Sequence, residues 1–115
     1  MSENDHRLDY VEFPATDIPA TKIFYSKVFG WTFEDYGEDY TSFHDGRMSG
    51  GFAKGSPVIQ GGALIVIYAD DLSLTYAKVI AAGGQITKPT FEFPGGRRFH
   101  FSDPNGNLLA VWSDK

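Results

Sequence analysis

Two stretches decide the fold: residues 14–31, which read PATDIPATKIFYSKVFGW, and residues 69–84, which read ADDLSLTYAKVIAAGG. In the first stretch Asp17 suits a helix N-cap, apolar residues recur at helical spacing, and Gly30 suits the helix end. The second stretch has the same order, with Asp71 as the cap and two glycines at its end. Each stretch therefore predicts one helix with both of its boundaries.

Runs of strand-forming residues flank both helices in the same order. One run precedes each helix and three follow it, with turn formers such as Asp45-Gly46 and Asn105-Gly106 between them. We expect Pro14 to end the first strand. The predicted strands are residues 8–13, 31–36, 40–44 and 48–53 in the first half and residues 63–68, 85–93, 97–102 and 108–112 in the second.

The two halves form an internal repeat, and a repeat of this kind predicts the architecture of the fold independently of any single motif. A shift of 54 residues carries position 17 to 71 and position 30 to 84, and a shift of about 60 carries Gly46 to Gly106 and Phe52 to Trp112. The order of elements predicts an α+β fold of two tandem βαβββ modules, at about residues 8–55 and 62–113. We expect a polar lead-in at residues 1–7 and one domain at 8–115, since 115 residues suit one core.

The composition excludes several classes of function. With no cysteine, the chain has no disulfide framework, thiolate zinc site or cysteine nucleophile. The net charge is −5 and the basic residues are scattered, so no basic face is available for nucleic acid. The N-terminus, MSENDHRLDY, lacks the apolar stretch of a signal peptide, and no apolar segment reaches membrane-spanning length. We expect a cytoplasmic protein without a nucleic-acid or membrane partner.

These motifs resemble those of the glyoxalase, bleomycin-resistance and extradiol dioxygenase superfamily, also called vicinal oxygen chelate proteins. The likeness is carried by the two stretches quoted above and by residues 101–113, FSDPNGNLLAVWS, and it covers roughly Leu8 to Ser113. It implies curved mixed sheets that enclose a cavity. Single-chain members of this length resemble homodimers that complete their cavities across the subunit interface, so the resemblance implies a homodimer.

The resemblance also implies where a metal would be held. In metal-using relatives the ligands come from the first and last strands of each half, and the matching positions here are Tyr10, Gly50, Leu64 and Ala110. Three of these have no donor atom, and a lone phenol is a poor ligand for a divalent ion at neutral pH. We therefore expect no metal and no other cofactor. A different strand register would bring in Glu12, His44 or His100 instead.

Glu12 is the first candidate catalytic residue, because it lies in an otherwise mostly apolar or aromatic strand on the face that points into the cavity in relatives. Enclosed there, it would be a candidate general base or an anchor for a ligand. The alternative is a partly solvated carboxylate paired with Arg97 or Arg98.

His100 is the second candidate. It alternates with Arg98 and Ser102, whereas Phe99 and Phe101 take the other strand face, which should pack on a helix. This leaves His100 toward the concavity or a dimer seam, where it could transfer protons near neutral pH. It could equally be a structural hydrogen-bonding residue.

Five residues are predicted to line a pocket for a flat or apolar ligand. Repeat spacing puts four aromatic residues on the inward face of their strands, and Arg98 joins them from the strand of His100. The alternative is that most of these aromatic residues belong to the core. The predicted ligand-binding residues are Tyr10, Phe52, Tyr68, Arg98 and Trp112.

Three functions remain open at this point. The first is metal-independent binding of a small organic molecule. The second is a lyase or isomerase that acts on a carbonyl compound with Glu12 as the base, although missing ligands argue against metal-dependent lactoylglutathione lyase activity. The third is a non-catalytic module whose main act is dimerisation. Fold alone does not choose among them.

Overall fold

The computed structural model describes residues 3–115, so Met1 and Ser2 of the predicted lead-in lie outside the described residues. The first half contains β1 (Tyr10–Ala15), α1 (Ile18–Phe29), β2 (Thr32–Asp35), β3 (Tyr40–His44) and β4 (Ser49–Lys54). The second contains β5 (Ile65–Tyr68), α2 (Leu72–Ala81), β6 (Gln85–Phe93), β7 (Gly96–Ser102) and β8 (Leu108–Ser113). The predicted α+β fold of two βαβββ halves is confirmed. Neither helix is long and apolar enough to cross a membrane.

Each half forms its own four-stranded mixed sheet. The strand order is β1-β4-β3-β2 in the first sheet and β5-β8-β7-β6 in the second. The opening strand of each half runs parallel to the closing strand, and the other pairs are antiparallel. A helix and two antiparallel strands lie between the parallel strands, and together they bring the chain back in the same direction. The two opening strands therefore lie at sheet edges.

The helix boundaries follow from the capping residues. Asp17 accepts a hydrogen bond from the Ala20 amide at 3.0 Å, and Asp71 accepts one from the Leu74 amide at 3.0 Å. Gly30 ends α1 with φ of 73°, in the left-handed region that glycine tolerates. The predicted N-caps are confirmed in both halves and Gly30 is confirmed as the end of α1, whereas α2 ends at the C-cap Ala82, directly before the predicted Gly83.

The prediction that Pro14 ends the first strand is wrong. Strand β1 continues through Pro14 to Ala15 in parallel register with β4. Because β1 is an edge strand, a residue without an amide hydrogen is tolerated there. In the second half, β5 begins at Ile65, two residues after the predicted start.

One apolar core joins the two halves. Phe24 of α1 lies 6.0 Å from Phe101 of β7, and Tyr25 stacks on Trp31 at 4.7 Å, measured between ring centroids. Tyr76 of α2 meets Phe99 at 4.8 Å. Both helices thus pack on the same side of the second sheet. In each sheet, we call the side that packs on the helices the helix side and the other side the open face.

A buried polar network ties the β7–β8 turn to α1. The Asp103 carboxylate accepts hydrogen bonds from the amides of Asn105 and Asn107, at 2.9 and 2.8 Å, and from the Tyr25 hydroxyl at 2.9 Å. Burial, and then the charge of Asp103, raises the pKa of Tyr25 well above its ordinary value. Asn105 in turn hydrogen-bonds to Thr21. This network fixes the turn that leads into β8.

Candidate functional site

Strand β7 carries two polar side chains to the open face of the second sheet. Phe99 and Phe101 are fully buried against the helices, so Arg98 and His100, at alternate positions, face the other way. Arg98 is in register with Trp112 of β8, and His100 with Ala110. The predicted face of His100 and Arg98 is the one observed.

Aromatic side chains surround this pair. Tyr68 meets Trp112 edge-on with ring centroids 5.3 Å apart, and Phe93 lies 6.3 Å from Trp112. Phe91 lies 5.8 Å from the His100 ring. Four of the predicted site residues therefore share the open face of the second sheet: Tyr68, Arg98, His100 and Trp112.

Two cations lie over these rings without a carboxylate partner. The Lys88 Nζ is 4.3 Å from the centre of the Phe91 ring, and the Arg98 guanidinium carbon is 5.3 Å from Phe91 and 5.6 Å from Phe93. Among residues 3–115, the salt bridges do not include Lys88 or Arg98. The buried Arg98 Nε and His100 Nε2 atoms have no hydrogen-bond partner within the same described range. Buried donors without acceptors are costly, so this face is chemically unsatisfied.

His100 is held in its neutral form by its surroundings. Partial burial, and then the positive charges of Arg98 and Lys88, lower the pKa of His100 below its ordinary value. At neutral pH the imidazole can therefore donate one hydrogen bond and accept another.

Tyr68 closes one end of this face. Its hydroxyl lies 2.9 Å from an Asp70 oxygen and 2.7 Å from an Asp114 oxygen, and hydrogen bonding to these carboxylates, Asp114 first, raises the pKa of Tyr68 to about 12. Lys115 pairs with Asp70 at 2.8 Å. Acidic charge is therefore gathered at the Tyr68 end, away from Lys88.

The first sheet has a different open face. Tyr10 is hydrogen-bonded to Tyr40 through the two hydroxyl groups. Desolvation, and then hydrogen bonds to Tyr10 and Glu12, raise the pKa of Tyr40 well above its ordinary value. Glu12 is exposed, so the enclosure expected of a general base is not found within this chain. Glu12 and His100 belong to separate sheets. Among the described residues, Glu12 forms no ion pair with Arg97 or Arg98, the alternative partners considered from the sequence.

The prediction that Phe52 shares the inward face with Tyr10 is wrong. Phe52 is in register with Phe13 and stacks on it at 5.2 Å, on the helix side of the first sheet. It is fully buried and also contacts Tyr25. The parallel register pairs Glu12, on the open face, with Gly51 of β4. Phe52 follows Gly51 in sequence and therefore points to the opposite side of the sheet.

The positions that match the metal ligands of relatives do not bring together the donor atoms that a metal ion requires. Gly50 faces the helix side, where a Cβ atom would meet Phe43, and the open-face residue of β4 is Gly51. Leu64 precedes β5, and Ala110 lies on the open face but offers no donor. Across residues 3–115, no group of three or more His, Cys, Asp or Glu side chains could hold an ion. His44 instead bonds Ser49 through Nδ1 at 2.8 Å.

A cavity of about 610 Å³ lies between the two sheets. Its walls are mostly aromatic and aliphatic, with Asp45, Arg47 and Met48 at one side. Tyr68 and Trp112 line it too, so they connect the cavity with the open face of the second sheet.

Three residues of the site were missed by sequence reasoning: Lys88, Phe91 and Phe93. All three lie on β6, whose pairing with β7 shifts register between Ile86 and Lys88 and again between Lys88 and Phe91. Such irregularities break the two-residue alternation from which a strand face is deduced. The sequence did contain one usable signal. Strand β6 carries two phenylalanines and directly precedes β7, so it could be expected to pair with the strand that carries Arg98.

Comparison with known proteins agrees with this architecture. The model of the Glyoxalase/Bleomycin resistance protein/Dioxygenase superfamily matches residues 7–111. The chain belongs to this superfamily. Two curated relatives, each named putative glyoxylase CFP32, come from Mycobacterium bovis and Mycobacterium tuberculosis. Each is 28% identical over 120 residues, which covers 90% of this chain and 44% of the relative. The chain thus spans less than half the length of these relatives.

Two solved structures show the same fold. A glyoxalase/bleomycin resistance protein/dioxygenase family enzyme from Burkholderia phytofirmans has a TM-score of 0.83 at 20% identity, and covers 94% of this chain and 100% of its own. The fosfomycin resistance protein FosX from Mesorhizobium loti has a TM-score of 0.79 at 18% identity, over 98% of this chain and 93% of its own. Identity this low supports the fold and leaves the activity open.

Proposed function

We propose that this protein binds a small organic molecule, without a metal ion, on the open face of the second sheet. The observation that carries this proposal is the grouping of Tyr68, Arg98, His100 and Trp112 on one face. There, aromatic surface adjoins polar atoms that have no partner within the described residues. Ligand sites are apolar surfaces with a few convergent polar groups, and this face has that character.

The donor set supports the metal-free part of the proposal. Glu12 is the one acidic side chain on β1, and its counterparts in register on the other opening and closing strands are Gly51, Val66 and Ala110. A divalent ion needs at least three protein donors to be held. We therefore derive no step through a metal and assign Glu12 no catalytic role in this proposal.

A homodimer and a cytoplasmic location complete the proposal. Tyr10, Val66 and Tyr68 expose 45%, 42% and 44% of their surface, and all three lie on the strands at the sheet edges. A second copy of the chain covering these edges would remove this apolar surface from water. Sedimentation equilibrium should then give twice the chain mass, and a monomer at all concentrations would contradict this part.

The test of binding is a ligand screen on chelator-treated protein. We expect saturable one-to-one binding of an organic compound in calorimetry, unchanged when EDTA is present. Trp112→Ala should weaken it about 10-fold, because one aromatic contact contributes about 1 kcal/mol or more. The matched control is Tyr36→Ala, since Tyr36 is 60% exposed next to the other sheet. Equal affinity in Trp112→Ala, or binding that needs an added metal, would refute the proposal.

A further inference from the structure

We propose that the ligand of this face is a flat organic anion, an aromatic carboxylate, whose charged group is held by Arg98 and Lys88. The inference rests on the proposed function and names the class of ligand. It follows from the charge, the shape and the unpaired polar atoms of the face.

The charge of the face is opposite to that of the chain. The chain has 15 acidic and 10 basic residues, for a net charge of −5. Even so, Lys88 and Arg98 both contact the Phe91 ring, and the salt bridges found in residues 3–115 include neither of them. Arg98 is partly buried, and a partly desolvated cation without a counter-charge is unfavourable, so an anionic ligand would supply that charge. Lys88 is exposed and adds a second positive charge at the same ring.

In the part of the chain that the structure describes, Asp70, Asp114 and Glu92 form no ion pair with these cations. Asp70 and Asp114 are engaged by the Tyr68 hydroxyl, and Asp70 also pairs with Lys115. Glu92 is in register with Arg97, which uses its Nε to donate to the Lys115 carbonyl. Acidic and basic groups are therefore separated along the site, which would orient a ligand that is charged at one end.

The rings define the shape of the ligand. Trp112 contacts Phe93, and the guanidinium of Arg98 lies over both Phe93 and Phe91, so three rings on this face are linked directly or through Arg98. A flat apolar group would lie on these rings, while its carboxylate would accept hydrogen bonds from Arg98 and, through Nε2, from His100. A neutral His100 can supply one such donor without adding charge.

The experiment compares acids with their primary amides. Phenylacetate, 2-naphthoate and indole-3-acetate have nearly the same shape as phenylacetamide, 2-naphthamide and indole-3-acetamide, and differ in charge. We expect the protein to bind at least one acid at least about 10-fold more tightly than its amide in calorimetry, because hydrogen bonds to charged groups are the stronger ones. Arg98→Met should reduce that ratio to about 2-fold or less, and should change the affinity for the amide by less than about 3-fold.

Arg97→Met is the matched control. Arg97 precedes Arg98 on the same strand, faces the helix side, and loses the same charge when replaced. It should keep the preference for the acid. A Lys88→Met variant should lower the ratio partially, because Lys88 contacts the same ring as Arg98.

The possible failures are distinguishable. If the amides bind as tightly as the acids and Trp112→Ala weakens both, the face binds small molecules and the anion inference is wrong. If none of the six compounds nor any member of a broader library binds, both the inference and the proposed function fail. A preference for acids that survives Arg98→Met and Lys88→Met would also overturn the inference, because the charge would then be recognised elsewhere.

Discussion

Replacement of the buried carboxylate at Asp103 should be among the most destabilising single changes in this chain. Asp103 is 5% exposed and accepts hydrogen bonds from two backbone amides, at 2.9 and 2.8 Å, and from Tyr25 at 2.9 Å. In Asp103→Ala these three donors lose a charged acceptor, at about 1–3 kcal/mol each, and partial rehydration reduces the sum. We expect a loss of about 4 kcal/mol from a total stability of roughly 6–17 kcal/mol for a chain of this size.

The assay is urea unfolding monitored by tryptophan fluorescence. The slope of the unfolding free energy against urea concentration should be the same in wild type and variants, which shows that the unfolded state is unchanged. Tyr25→Phe should cost about 1.5 kcal/mol, and the double variant should lose about 1 kcal/mol less than the sum of the single changes. Asp45→Ala is the control, because Asp45 likewise accepts from two backbone amides, at 2.8 and 2.6 Å, in an exposed turn. It should cost about 1 kcal/mol or less. Equal losses at Asp103 and Asp45 would refute the reasoning.

Three further predictions concern acid stability, packing and metals. Acidification below about pH 6.5 should lower stability more in the wild type than in His100→Gln. The reason is that the folded pKa of His100 is lowered by burial, Arg98 and Lys88, so the unfolded state binds more protons there; equal acid sensitivity in thermal melts would contradict this. Phe52→Ala should cost about 3–5 kcal/mol in urea unfolding, because the side chain is fully buried; a loss under about 1 kcal/mol would place it outside the core. Nickel, zinc, manganese or ferrous iron should leave the Tm of chelator-treated protein unchanged, whereas an ion at about 100 times its Kd would add about 2.7 kcal/mol.

Local signals were sufficient for most of the fold. The caps Asp17 and Asp71 and the terminal Gly30 determine the helix boundaries through their own backbone and side-chain hydrogen bonds, which sequence makes visible. Strand β7 alternates regularly from Arg98 to Ser102, so the face of His100 could be deduced without its neighbours. The exception is Pro14, whose effect on β1 depends on the position of the strand at the sheet edge, which the sequence does not show.

Features that depend on pairing between strands were not predictable in the same way. The repeat spacing of about 60 matched Phe52 with Trp112, whereas the observed registers match Phe52 with Val111, from position 52 to 111, a spacing of 59. An error of one residue in the alignment assigns a side chain to the wrong face of a sheet. This error put Phe52 on the open face in the prediction, although the residue lies in the core. Lys88 was not predicted as a site residue because the register shifts of β6 interrupt the alternation of side chains between the two sheet faces.

The most direct test of ligand binding at this face is an NMR titration that observes the indole N–H signals of the two tryptophans. Trp112 lies on the open face of the second sheet, and Trp31 is 7% exposed in the core beside the cavity between the sheets. With 2-naphthoate added to chelator-treated protein, we predict a saturable shift of the Trp112 signal and no shift of the Trp31 signal. A shift of Trp31 alone, or of neither signal at saturating ligand, would contradict the proposed site.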